Sequence, residues 1–309
     1  MIRTIFIAAA LALAVTLPAA PAQAAARTFV SAAGNDSNPC TITLPCRNLQ
    51  AAYNAVAANG QVEALDPGNY GSLTITGPVS IQGHGWAGMS TNTGAAITVN
   101  AAGAFDKVFI SGVVLDGLGI VGTNGIRFNT GGILNVRDCV IRNFTNDGID
   151  FEPSSSSSLL VSNTVISDNG NQGILISDAG SGTTTGVLNH VEMENNRIDG
   201  LIVQSDQTVN ITVSDSVSTN NGNVGILNNP IGTMPSNILV RNSTIANNGG
   251  SGLQATNAGA NLRITRSSIT GNGSGWVGSG GGAVLSYGDN NIDGNLDVNT
   301  EPPNPLVYR

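Results

Sequence analysis

The sequence predicts an all-β solenoid, a column of stacked coils with three short strands in each. Three ladders with one shared period predict it. Val-Leu-Asp116, Val-Arg-Asp138, Val-Ser-Asn163, Val-Leu-Asn189, Val-Ser-Asp215, Val-Arg-Asn242 and Ile-Thr-Arg266 recur with anchors 22, 25, 26, 26, 27 and 24 residues apart. A Gly-Ile/Leu pair recurs on the same period at Gly125, Gly148, Gly173, Gly200, Gly225 and Gly252. Asn169, Asn195, Asn221, Asn248 and Asn272 each follow an anchor by six residues. Apolar residues alternate within each segment, as in Leu253 and Ala255 or Leu262 and Ile264, which puts them on one face of a strand. A single coil cannot cover that face. Stacking coil on coil buries it in a continuous column, each strand pairing with its equivalents above and below. Asp, Asn and Gly suit the bends because they tolerate left-handed backbone, and stacked asparagines bond to one another.

Composition narrows the function classes. The 309 residues include 40 glycines, 40% are apolar, only 10% are charged, and the formal charge is −8. The apolar content is too high for intrinsic disorder, and the long charged helical stretches of a coiled coil are missing. Binding along a phosphate backbone needs dense Lys and Arg. This chain has one lysine, Lys107, so nucleic acid is not an expected partner.

Residues 1–24 read as a secretory signal. Arg3 supplies the positive start, Ile5 to Leu17 the apolar run, and Ala22-Gln23-Ala24 the cleavage site. The run is too short to span a bilayer, which takes about 20 residues, so no stable membrane span is expected after cleavage. An exported chain meets oxidising conditions, and Cys40 and Cys46 enclose a short loop that suits a disulfide. Cys139 is left over in a strand-like run with no nearby histidine to activate it, and is read as buried and unreactive. Residues 25–61 form an N-terminal cap. In it Leu49, Ala52, Tyr53, Val56 and Ala57 have helical spacing up to Asn59-Gly60. A short capping α-helix would cover the exposed end of the first coil. The coils are expected over residues 62–297, and an irregular tail over 298–309.

The period, the three-strand unit and the Asn turn resemble the right-handed parallel β-helix of the pectate-lyase-like superfamily, with about nine to ten coils. Ser-x-x-Gly-x-Asp-x-Asn-Pro-Cys, then Pro-Cys, a helix and Pro-Gly-x-Tyr, is similar to the start of many secreted bacterial β-helix proteins. The resemblance implies that the face of the first strand forms the ligand groove. It also implies a Lys or Arg base beside calcium-binding carboxylates, and here that base would be an arginine. Gly83-His84-Gly85 matches a polygalacturonase tripeptide, but the other acidic motifs of those enzymes are missing.

Near the other end, Asp289, Asn291, Asp293, Gly294 and Asp297 fit most of a calcium loop, with Thr300 at the twelfth position in place of an acid. The same stretch also aligns with the ordinary repeat turn Asn195 to Gly200. No other cofactor is implied.

Stacking the first strands yields the candidate site. Arg127 lies one rung below Asp150, with Asp147 and Glu152 flanking; Asp147, Gln172 and Asp199 share one position on three successive coils. Two rungs separate Asp147 from Asp199 by roughly 10 Å, near the roughly 6.5–9.5 Å of inverting glycosidases. One would then act as general acid while the other activates water. Glu152, Gln172 and Gln204 are the candidate substrate contacts. The plain alternative is a solvated face with an Arg127–Asp150 ion pair. The expectation is therefore an exported monomer that binds or cleaves extracellular polysaccharide, with a non-catalytic structural or adhesive solenoid as the competing reading.

Overall fold

A computed structural model describes residues 24–120 and 122–297, together with Pro302 and Leu306. The secretory signal, apart from Ala24, lies outside the described residues, as does most of the expected tail. Every strand pairing is parallel. Nine strands, from Leu73–Ile75 to Ser274–Ser279, form a front sheet with one strand per coil. The second and third strands of the coils merge into a bent back sheet of seventeen strands. Val79–Met89, Lys107–Asp116, Ser157–Ser167 and Thr183–Glu194 run through the bend unbroken.

Two corners in each coil adopt left-handed backbone, and their residues correct the ladders read from the sequence. At the first corner φ is positive at Gly112, Asp138, Asn163, His190, Asp215, Asn242 and Arg266. Asn189 is not the corner residue. It pairs with Ser162 one place earlier, and its amide donates to Ser214 Oγ at 2.8 Å. Asp116 is displaced too, because Ser111 pairs with Arg137 and so puts Gly112 beside Asp138. At the second corner Asp168, Asn195, Asn220 and Asn247 are left-handed, and the residue after each turns inward. The asparagine ladder therefore runs through Asn169, Asn196, Asn221, Asn248, Asn272 and Asn295, not through Asn195. Each Nδ2 donates to the next Oδ1 at 2.8–3.0 Å. From Asn169 to Asn272 these side chains are at most 2% exposed, so each buried amide is satisfied within the stack.

Inside, Ile97, Ile126, Ile149, Ile174, Leu201, Ile226 and Leu253 stack in register. Each is buried and contributes about 2 kcal/mol. Phe128 and Phe151 stack at 4.5 Å in a neighbouring column. The helix α1 spans Leu49–Ala55 and buries Leu49 and Ala52 against the first coil. It is shorter than its apolar spacing predicts. Val56 turns extended and starts the strand Val56–Ala64, which pairs with Ala25–Val30. Cys40 and Cys46 form the expected disulfide. Cys139 is buried, and burial pushes its thiol up to about 11, so the unreactive thiolate-free form prevails. At the far end Leu306 donates its N–H to Ser286 O. No helix among the described residues is long and apolar enough to cross a membrane.

Candidate functional site on the front sheet

The register of the front sheet sets the outer face. Inward Ile149 and Phe151 leave Asp150 pointing out, beside Arg127 on the coil below and Leu175 on the coil above. The positions before the glycine ladder stack as Asn124, Asp147, Gln172 and Asp199, because the N–H of each following glycine donates to the carbonyl of the next coil's member. On an open sheet these side chains would meet solvent. Instead Asn124 and Asp147 are 1% exposed, Asp199 2% and Asp150 5%. Ile202 and Leu227 are also buried on this outer side. Stacked neighbours on adjacent coils and the adjoining turns cover these side chains, so the front-sheet trough is a close-packed strip on which Arg127 and Glu152 are the more exposed groups.

Four of the expected residues come together. Arg127 Nη2 lies 2.9 Å from Glu152 Oε2, and its Nε lies 3.7 Å from Asp150 Oδ2. The same Nε donates to Asn129 Oδ1 at 3.1 Å. Asn124 Nδ2 donates to Asp150 Oδ2 at 2.7 Å. Asp147 completes the group from the adjoining turn, where its Oδ1 accepts the Gln172 N–H at 3.1 Å. Asp199 stands two coils higher and braces the coil above it by accepting from Val224 N–H and Asn223 Nδ2, both at 2.9 Å. Gln204 is exposed on the coil of Leu201, away from the Arg127 cluster.

Burial dominates the electrostatics. It pushes the Asp147 carboxyl up to about 6; the neighbouring Asp150 adds to the shift and the Gln172 N–H opposes it. Burial also raises Asp150, against the pull of Arg127. Asp199 is raised by burial against its two donors. Three buried oxygens in this group accept no hydrogen bond: Asn124 Oδ1, Asp150 Oδ1 and Gln172 Oε1. Asn124 was missed in the sequence, although it precedes Gly125 just as Asp147 precedes Gly148.

The stretch read as a calcium loop makes the following bonds within the fold. Asp289 accepts Thr265 Oγ1 at 2.8 Å and the Arg266 N–H, Asn291 pairs with Ser268, and Asp297 accepts the Gly275 N–H. Asp293 donates its N–H to Ile269 O, while Asn295 extends the asparagine ladder. Among the described residues no three His, Cys, Asp or Glu side chains converge as a metal cluster.

A family model described as the right handed beta helix region matches residues 124–297. The chain belongs to the right-handed β-helix family. Within solved structures this β-helix is similar to the pectate lyase Pel9A, with 16% identity, a TM-score of 0.64, and coverage of 84% of this chain and 74% of that one. The A-module of the Azotobacter vinelandii mannuronan C-5 epimerase AlgE4 matches with 15% identity, a TM-score of 0.46, and coverage of 84% and 95%. No curated protein sequence matches the chain. The Pel9A match shows a shared fold.

Proposed function

We propose that this β-helix binds an uncharged extracellular polysaccharide in the front-sheet trough and exchanges protons with it through Asp147 and Asp150. The orphaned oxygens of Asn124, Asp150 and Gln172 carry the reading. Buried acceptors without partners are costly, and a sugar hydroxyl that displaces the half-exposed Arg127 side chain covering them would supply the donors they need. Acidic sugars suit the trough poorly, because the cation seated there, Arg127, already bridges Glu152 and Asp150. That bridging also argues against Arg127 as a base, since a paired guanidinium holds its proton; it serves to anchor the substrate. Asp147, with its pKa of about 6, stands closest to the neutral range in which acid–base catalysis works best. The Asp147–Asp150 pair replaces Asp147–Asp199 as the favoured carboxyl pair, Asp199 acting as a brace. The Cys40–Cys46 disulfide and the secretory start support an extracellular or periplasmic setting. Pel9A is named as a pectate lyase, a polysaccharide-acting enzyme on the same fold.

The calcium that the superfamily implies does not fit this donor set. Calcium takes roughly six to eight oxygen ligands. Here Asp150 Oδ2 already faces Asn124 Nδ2 and Arg127, and Asp147 Oδ1 holds a backbone N–H. The bonds of Asp147 and Asp199 to the coils above them also favour a second reading, a rigid non-catalytic rod. The test is a panel of neutral and acidic glycans, with reducing ends and retention both measured for wild type, Asp147→Asn and Asp150→Asn. Retention of a neutral glycan, with turnover abolished in Asp147→Asn, is expected. Retention without turnover leaves the rod; no retention on any glycan overturns binding itself.

A further inference from the structure

The back sheet carries a second site, on a face the trough does not reach. Two columns of outward side chains stand side by side there: Ser80, Phe109 and Asn135 in one, Gln82, Ser111 and Arg137 in the other. Together they line a depression of about 300 Å³. Phe109 lies at its centre and is 39% exposed, in a chain with 4% aromatic residues. Rungs are about 4.8 Å apart and alternate residues on a strand about 7 Å apart. A six-membered ring laid on Phe109 is therefore within reach of Ser80 below, Asn135 above and Ser111 beside it.

Part of the polar ring around this plate is unpaired. Elsewhere on the back sheet stacked side chains bond to each other, as Ser158 does to Thr185 at 2.7 Å and Asn237 to Asn210 at 3.1 Å. Asn135 sits between Phe109 and Leu160, so neither neighbour offers it a partner. Among the described residues the Asn135 amide and the Ser111 hydroxyl make no hydrogen bond. Gln82 gives its Nε2 to Ser80 Oγ and keeps its Oε1. Arg137 is balanced by Asp138 at 2.9 Å, and it is the one charged side chain in the lining of the depression among the described residues. An aromatic plate ringed by neutral donors and acceptors matches a pyranose, whose C–H face is apolar and whose rim is hydroxyl. A protein partner needs roughly 800 Å² of surface, far more than a one-ring depression offers.

We propose that this depression is a non-catalytic carbohydrate subsite that takes a single neutral pyranose unit on Phe109. It lies on the back sheet rather than the front one, at a similar height in the column. One polymer strand would not occupy both without wrapping the molecule, so the subsite tethers the protein to its polymer while the trough is free to engage another strand. The test is calorimetric titration of the full chain with tetrasaccharides of glucose, mannose, galactose and xylose, in wild type, Phe109→Ala, Phe109→Tyr, Asn135→Ala and Asp150→Asn. At least one probe is expected to bind about tenfold more weakly to Phe109→Ala. Phe109→Tyr restores the binding, Asn135→Ala weakens it, and Asp150→Asn removes only the heat the trough contributes, leaving the Phe109-dependent part in place. Should Phe109→Ala fail to fold, Asn135→Ala and Ser111→Ala, both polar surface changes, decide the matter. Wild type that binds none of the four probes, or binding unaltered by these variants, overturns the subsite. Loss in Asp150→Asn alone overturns it while supporting the trough.

Discussion

Replacing Asp147 by Asn tests the electrostatics of the trough. Folding raises this carboxyl from 3.8 to about 6 because the folded chain shields it from water. The folded state therefore holds the proton more tightly than the unfolded state does. The contribution of Asp147 to wild-type stability is highest below pH 3.8, falls as pH climbs from there to about 6, and is level beyond. The difference is about two pH units, which corresponds to about 3 kcal/mol of destabilisation at pH 8 as an upper bound. Asparagine never ionises, and its Oδ1 still accepts the Gln172 N–H. Asp147→Asn should thus match wild type near pH 4 and be more stable at pH 8, by up to about 3 kcal/mol. Urea unfolding followed by circular dichroism at both values measures the gap. A variant destabilised equally at both pH values would refute the reasoning, because it would mean that the ionised carboxylate has a stabilising partner in the fold. The same variant should lose turnover, a gain in stability with a loss of function.

The remaining predictions concern the column and its ends. Asn196→Ala leaves the Asn169 amide without its ladder acceptor and takes one of two ladder partners from Asn221, and should cost about 2 kcal/mol or more, whereas Asn195→Gly, at the solvent-facing corner, should be close to neutral; matched urea midpoints test both. Calcium or a chelator should leave the melting temperature unchanged, and a rise with millimolar calcium would show that the acidic residues hold a cation after all. Cys139 should resist thiol reagents in the native protein and react only at the rate of unfolding, so rapid native labelling would contradict its burial.

The architecture was legible because its period is written in residues that serve the bends. The misplaced rungs share one cause. Searching for Asp and Asn at the first corner passes over His190 and settles on Asn189, and counting six residues from there lands on Asn195. Counting six from His190 reaches Asn196, the true member of the ladder. A glycine corner, Gly112, was hidden in the same way behind Asp116. The site was legible as a face, since adding one pitch to Arg127 reaches Asp150. Its burial was not. Whether Asp147 and Asp150 meet water depends on how the stacked neighbours and the adjoining turns cover them, and alternation within a strand carries no information about that. Grouping Asp147 with Asp150 rests on their mutual electrostatic effect, which the spacing of the ladders does not reveal.

The ladder also sets the increments in which this molecule can change length. Each ladder asparagine recognises only its counterpart one turn away, so any excised segment that starts and stops at equivalent points lets the two new neighbours dock as the old ones did. Removing residues 196–220, which are 25 in number, would bring Asn221 directly above Asn169 and yield a shorter but otherwise intact spire. Cutting out ten residues instead would throw every later storey out of step with those beneath it. Evolution of such a chain therefore proceeds in whole storeys, and the height of the tower is a count of them.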